Sequence, residues 1–169
     1  MTVPASASAS ILMGIALFSG HAAPASQATD FCAGLQRIAT ASFETPAFKS
    51  VVRETPARLE GLVLPGGFER CSATRLSTSA STYGCSIAVP TSEEEAIALS
   101  EGLKGLVKKC YNDPLSYEPG LADQYGTRQT NFTVPTPAGT AEIAVYPRLT
   151  SNAEYRTVHL IVLGPEPKE

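Results

Sequence analysis

The sequence predicts an α+β domain: an antiparallel sheet of about six or seven strands, covered on one face by two helices and stapled by two disulfides. Three observations carry this. Apolar residues recur at helical spacing in two stretches, near 30–43 and 93–109. Short runs rich in Val, Ile, Leu and Tyr follow each stretch and are separated by brief turns, which implies antiparallel neighbours. The four cysteines, Cys32, Cys71, Cys85 and Cys110, form an even set.

The first 28 residues carry no Asp, Glu, Lys or Arg, and their centre is the apolar run Ile11-Leu12-Met13-Gly14-Ile15-Ala16-Leu17-Phe18. A run of that length suits the apolar segment of a secretory signal and is too short to span a bilayer. Small residues at alternate positions after it offer cleavage following Ala28, with Ala25 and Ala22 as alternatives. Only the terminal amine supplies positive charge ahead of the run. The expected organisation is a signal peptide over 1–28 and a single domain over 29–169, exported to a periplasm or the extracellular space.

Asp30 is placed to cap a first helix whose apolar face is Phe31, Leu35, Ile38 and Ala39, ending near Phe43. Residues 48–53 and 59–64 read as strands bounded by Pro46, Pro56 and the turn Pro65-Gly66-Gly67. Residues 68–76 and 82–89 form a hairpin turning near Thr78, with the second arm alternating as Tyr83, Cys85, Ile87 and Val89. That turn puts Cys71 opposite Cys85, so the two are expected to be bonded. Cys32 and Cys110 are left to join the two helices. No Cys-x-x-Cys spacing occurs, and a lone histidine beyond the signal argues against a Cys/His zinc site. Thr29-Asp30-Phe31 before Cys32 lacks the pattern of a lipidated cysteine.

The second helix, 93–109, has the clearest signature. Ser92 and Glu95 form a capping box, Glu93, Glu94 and Glu95 fill the first turn, and Lys108 and Lys109 fill the last, all matched to the helix dipole. Ala96, Leu99, Leu103, Leu106 and Cys110 make its apolar stripe. Three consecutive glutamates point in different directions on a helix, so they read as a solvated cap rather than a metal cluster. Ala98, Gly102 and Gly105 form a strip of small residues, which suggests the close approach of a neighbouring element because helical glycine costs about 1 kcal/mol against alanine.

Periodicity disappears over 111–126, a stretch with two prolines, two glycines, three acids and three tyrosines. Its length exceeds an ordinary connection, which makes it the strongest functional candidate in the chain. Strands at 127–134, 139–146 and 154–163 follow, with turns at 135–138 and 151–153. The two halves, each a helix followed by about three strands, have the form of an internal repeat without side-chain identity.

With 13 basic and 16 acidic side chains and a net charge of −3, the chain lacks the basic face that phosphate neutralisation requires, so nucleic acid is not an expected partner. No Gly-x-Ser-x-Gly elbow, phosphate-binding loop, dinucleotide fingerprint or His-Glu-x-x-His helix is present. Asp113, Glu118 and Asp123 do not follow a calcium-loop spacing. Asn131-Phe132-Thr133 is a glycosylation sequon inside a predicted strand. No metal and no cofactor is expected. What the long loop offers is contact chemistry: Tyr111, Tyr117 and Tyr125 supply amphipathic surface, and Asp113, Glu118 and Asp123 favour a basic partner. The leading expectation is therefore a small exported protein-binding module, inhibitor-like or immunity-like, whose partner is another exported or envelope protein with a basic surface. The Ser77 to Thr82 hairpin tip is a secondary contact. The alternative is a carrier holding an apolar ligand between sheet and helices beside the Ala98, Gly102 and Gly105 strip. Third comes a hydrolytic enzyme using His159, on a strand face with Tyr155, Thr157 and Ile161, together with a carboxylate.

Overall fold

Side chains alternate between two environments along every long strand, and that alternation builds the molecule. The structure, a computed structural model, describes residues 25–75, 81–117, 129–150, 152 and 156–165, with side chains from residue 30 onward. Helix α1 (Ala25–Ala41) leads into strands β1 (Val52–Glu54), β2 (Leu59–Gly61), β3 (Cys71–Thr74) and β4 (Thr82–Ala88). Helix α2 (Glu93–Cys110) then leads into β5 (Leu115–Tyr117), β6 (Thr130–Thr136), β7 (Gly139–Arg148) and β8 (Thr157–Leu163). The eight strands form one sheet in the order β1-β2-β3-β4-β8-β7-β6-β5. Every neighbouring pair is antiparallel.

Register aligns the buried side chains into rows. Tyr83 lies opposite Val162, which lies opposite Ile143, which lies opposite Phe132, and all four are fully buried. Both helices pack on this face over β7 and β8, with α1 reaching β6 as well. Phe31, Leu35 and Ile38 of α1 and Leu103 and Val107 of α2 complete the core. Each such burial removes a large side chain from water and contributes about 1.5–3 kcal/mol before the cost of ordering. Pro135 and Pro147, which cannot donate to a ladder, fall where their strands have a partner on one side only.

Both disulfides pair as the sequence implies. Cys71 bonds Cys85 directly across the β3–β4 ladder, and Cys32 bonds Cys110, fastening α1 to the end of α2. Ser92 caps α2, its Oγ accepting the Glu95 N–H at 3.1 Å.

Five details differ from expectation. The sheet has eight strands rather than six or seven, because Leu115–Tyr117 inside the aperiodic stretch pairs with β6. Residues 48–53 are not one strand: Phe48 adopts a left-handed backbone with φ 62°, a 3-10 turn occupies Lys49–Val51, and only Val52–Glu54 is extended. The buried Phe48 ring, 5.6 Å from the Tyr83 ring, and its N–H bond to the Ala41 carbonyl hold that conformation. Asp30 lies within α1 rather than at its start, since the helix begins at Ala25. On α2 the buried face is Ala96, Ser100, Leu103, Lys104 and Val107, while Leu99, Leu106 and Cys110 are half-buried, so the stripe is rotated from the predicted one. Ala98 and Gly102 are exposed, and a Cβ added at Gly102 or Gly105 would meet nothing within 4 Å. No element therefore packs directly on the strip at Gly102 or Gly105; Gly105 alone of the three lines an open space between α2 and the sheet, across from Ser116, Thr130 and Phe132.

Candidate binding surface

The face of the sheet opposite the helices carries its own ordered side chains. Across it Tyr117 lies opposite Asn131, Asn131 opposite Ala144, Ala144 opposite Ile161 and Ile161 opposite Gly84. Tyr117 ends β5, the strand at one edge of the sheet, and is 50% exposed, while Leu115 two residues earlier is 81% exposed. The Tyr117 hydroxyl donates to Glu142 Oε1 at 2.8 Å and accepts from Asn131 Nδ2 at 3.1 Å. Asn131 Nδ2 also donates to Glu142 Oε1, and Gln129 Nε2 donates to Asn131 Oδ1 at 2.6 Å. A phenol that both donates and accepts within a closed network has lost most of its rotational freedom while its ring stays at the surface. Asn131 is buried and its amide is committed to that network, so the sequon residue is a structural polar anchor.

The other predicted contact residues fall elsewhere. Tyr111 follows α2, donates its N–H to the Val107 carbonyl and packs its ring against the core. Its hydroxyl is buried without a hydrogen-bond partner, and burial pushes the phenol's pKa up. Asn112 and Asp113 take left-handed backbones, and the Asp113 N–H closes onto the Lys108 carbonyl at 2.8 Å, which terminates the helix. Tyr111 and Asp113 thus end a helix, and of the predicted contact residues that are described only Tyr117 is on the open face. Glu118, Asp123 and Tyr125 lie outside the described residues, as do Ser77 and its neighbours at the hairpin tip.

Along β7 and β8 the same face holds His159. Its ring stacks on Tyr146 with centroids 5.0 Å apart and planes 18° from parallel, and its Nε2 is 2.7 Å from Thr157 Oγ1. Burial lowers the imidazole pKa and the nearby Arg148 charge lowers it further, so the neutral ring is favoured. The groups the structure sets around His159 are an aromatic ring, a hydroxyl and a cation; the carboxylate that an acid/base role calls for is not among its described partners. Among the described residues no cluster of three or more His, Cys, Asp or Glu side chains could hold a metal ion. All four cysteines are bonded.

The chain matches no protein-family model, no curated protein and no solved structure in comparisons with each. Sequence reasoning picked out Tyr117 by its loop context but missed Asn131, Glu142 and Gln129, which hold it. A signal was present: Asn131 and Glu142 are polar residues next to Phe132 and Ile143 in strand-like runs, so alternation assigns them to the face away from the core. Their meeting with Tyr117 depends on register across three strands, which no local pattern encodes.

Proposed function

We propose that the protein is a small exported binding module that engages another exported or envelope protein through the β5 edge, in the manner of an inhibitor or immunity protein. The observation that carries this is the pairing of Leu115, 81% exposed, with a half-exposed Tyr117 fixed by Asn131 and Glu142. An aromatic side chain immobilised before binding loses little entropy on docking, which is the property of an interface anchor. The Glu142 carboxylate beside it, and Glu118 following in sequence, favour a partner presenting Lys or Arg. Export rests on the charge-free apolar segment over 1–28 together with two disulfides, which persist in oxidising compartments. Cleavage after Ala28 leaves Phe31, Cys32 and the rest of the buried face of α1 in the mature chain. No described helix is long and apolar enough to cross a membrane.

The test is a comparison of variants on the partner recovered by crosslinking in the native compartment. Leu115→Ala with Tyr117→Ala should weaken the complex at least tenfold, the scale of one hot-spot residue, and leave the thermal midpoint nearly unchanged. Unaltered affinity would remove the β5 edge from the interface and with it this reading.

A further inference from the structure

A second surface, independent of the β5 edge, has the character of a small-molecule site. A cleft of about 730 Å³ lies between the C-terminal half of α1, the end of α2 and the β6–β7 hairpin. That volume is within the range of sites for drug-sized ligands, roughly 300–1,000 Å³. Ala41, Tyr111, Pro135 and Pro137 give it apolar walls. Two of its neutral polar side chains bond within the lining: Gln36 Nε2 donates to the Cys110 carbonyl at 3.0 Å, and Thr40 Oγ1 donates to the Gln36 carbonyl at 2.9 Å. The one carboxylate in the lining, Glu44, accepts the Ser50 N–H at 2.7 Å. Arg37 and Lys109 also line the cleft, both exposed, and neither enters an ion pair among the described residues. Two cations against one carboxylate leave a positive apolar cleft on a chain whose net charge is −3.

We infer that this cleft binds a small amphiphilic anion, an apolar ring system or short chain ending in a carboxylate or sulfonate. The body lies against Ala41, Tyr111 and the two prolines, and the anionic head meets Arg37 and Lys109. The Cys32–Cys110 bridge fixes α1 against the end of α2 and so holds two walls at a set distance. A preformed cleft is what gives a small ligand affinity without a folding cost.

Two fluorescent probes with the same carbon skeleton separate body from head: anilinonaphthalene sulfonate, which is anionic, and phenylnaphthylamine, which lacks the sulfonate. On the intact chain the anionic probe should saturate at one site and bind roughly three- to thirtyfold tighter than the neutral one at low salt, the range expected for two solvent-exposed charge contacts. Arg37→Ala with Lys109→Ala should abolish that preference while leaving the neutral probe's affinity in place, which also shows that the variant is folded. Thr40→Phe, which projects a ring into the cleft, should weaken both probes. Equal binding of the two probes, a preference that survives loss of both cations, or indifference of both probes to Thr40→Phe would each overturn the inference.

Discussion

Gly61→Ala tests the packing of the half of the sheet farthest from the helices. Gly61 ends β2 on the core side, where an added Cβ would fall 2.8 Å from Cys71 Cβ and 2.8 Å from Tyr83 Cζ, and would collide with the Tyr83 hydroxyl. None of these neighbours can yield cheaply. Tyr83 is fully buried and donates to the Val63 carbonyl at 2.6 Å, and Cys71 is bonded to Cys85. Overpacking a tight core costs about 1–3 kcal/mol. Pushing Tyr83 off the Val63 carbonyl forfeits a hydrogen bond worth about 0.5–1.5 kcal/mol. Together these predict a loss of about 2–4 kcal/mol. With an m-value near 2 kcal/mol/M, the urea midpoint should fall by about 1–2 M, read by far-ultraviolet circular dichroism. Tyr83→Phe removes the hydroxyl and should cost only about 1 kcal/mol. In the double variant part of the collision is gone, so its loss should be less than the sum of the two single losses by about 0.5–1.5 kcal/mol. A Gly61→Ala protein within about 0.5 kcal/mol of the parent, or strict additivity with Tyr83→Phe, would refute the assigned close approach.

Two further outcomes follow from the disulfides and from His159. Replacing Cys71 and Cys85 by alanine opens a loop with a sequence separation of 14, and replacing Cys32 and Cys110 opens one with a separation of 78. Loop entropy predicts losses of about 3 and about 4–5 kcal/mol respectively, and denaturant midpoints in the reverse order would contradict that account. For His159 the folded pKa lies below the ordinary 6.5. As pH falls through 6.5 the unfolded chain takes up the proton before the native one does, so the native state loses stability on acidification below that point. Denaturant titrations between pH 7.5 and 5.5 should show a steeper fall for the parent than for His159→Gln; parallel curves would show that burial and the Arg148 charge do not hold the ring neutral.

How far the sequence led depended on the range of each interaction. Cys71 and Cys85 could be paired because a single turn separates them, and their bond left Cys32 with Cys110 by elimination. Ser92, the glutamates after it and Lys108–Lys109 marked α2 because caps and dipole charges act within one helical turn. Phe48 shows the limit in one direction: a Val-rich run reads as extended, yet a buried aromatic contact with Tyr83 fixes a left-handed residue before the strand. Leu115–Tyr117 shows it in the other, since a three-residue strand has no period to detect and exists because β6 offers a ladder. Tyr117 stood out among aperiodic residues, whereas the carboxylate and amide that fix it come from β6 and β7. The charged cleft brings Arg37 of α1 beside Lys109 of α2, and only the packing of the helices joins them.

The strand order reads the same from either edge: β1 to β4 run inward from one side, β5 to β8 from the other, and the last strands of the two halves meet in the middle. Each half is a helix followed by a four-stranded meander, so the repeat suggested by element order exists in topology. The halves are not equal in substance. Strands β6, β7 and β8 have 7, 10 and 7 residues, against 3, 3 and 4 for β1, β2 and β3, and the main helix contacts fall on the longer set. A short strand contributes little apolar area, so the first half needs other fastenings. It has them in the Cys71–Cys85 bridge, in the buried Tyr83 hydroxyl held by Val63, and in the absence of a side chain at Gly61 that lets Tyr83 lie close to β2. The second half, anchored by both helices, is the one that can present an exposed edge at Leu115 and Tyr117 without depending on that edge for its core.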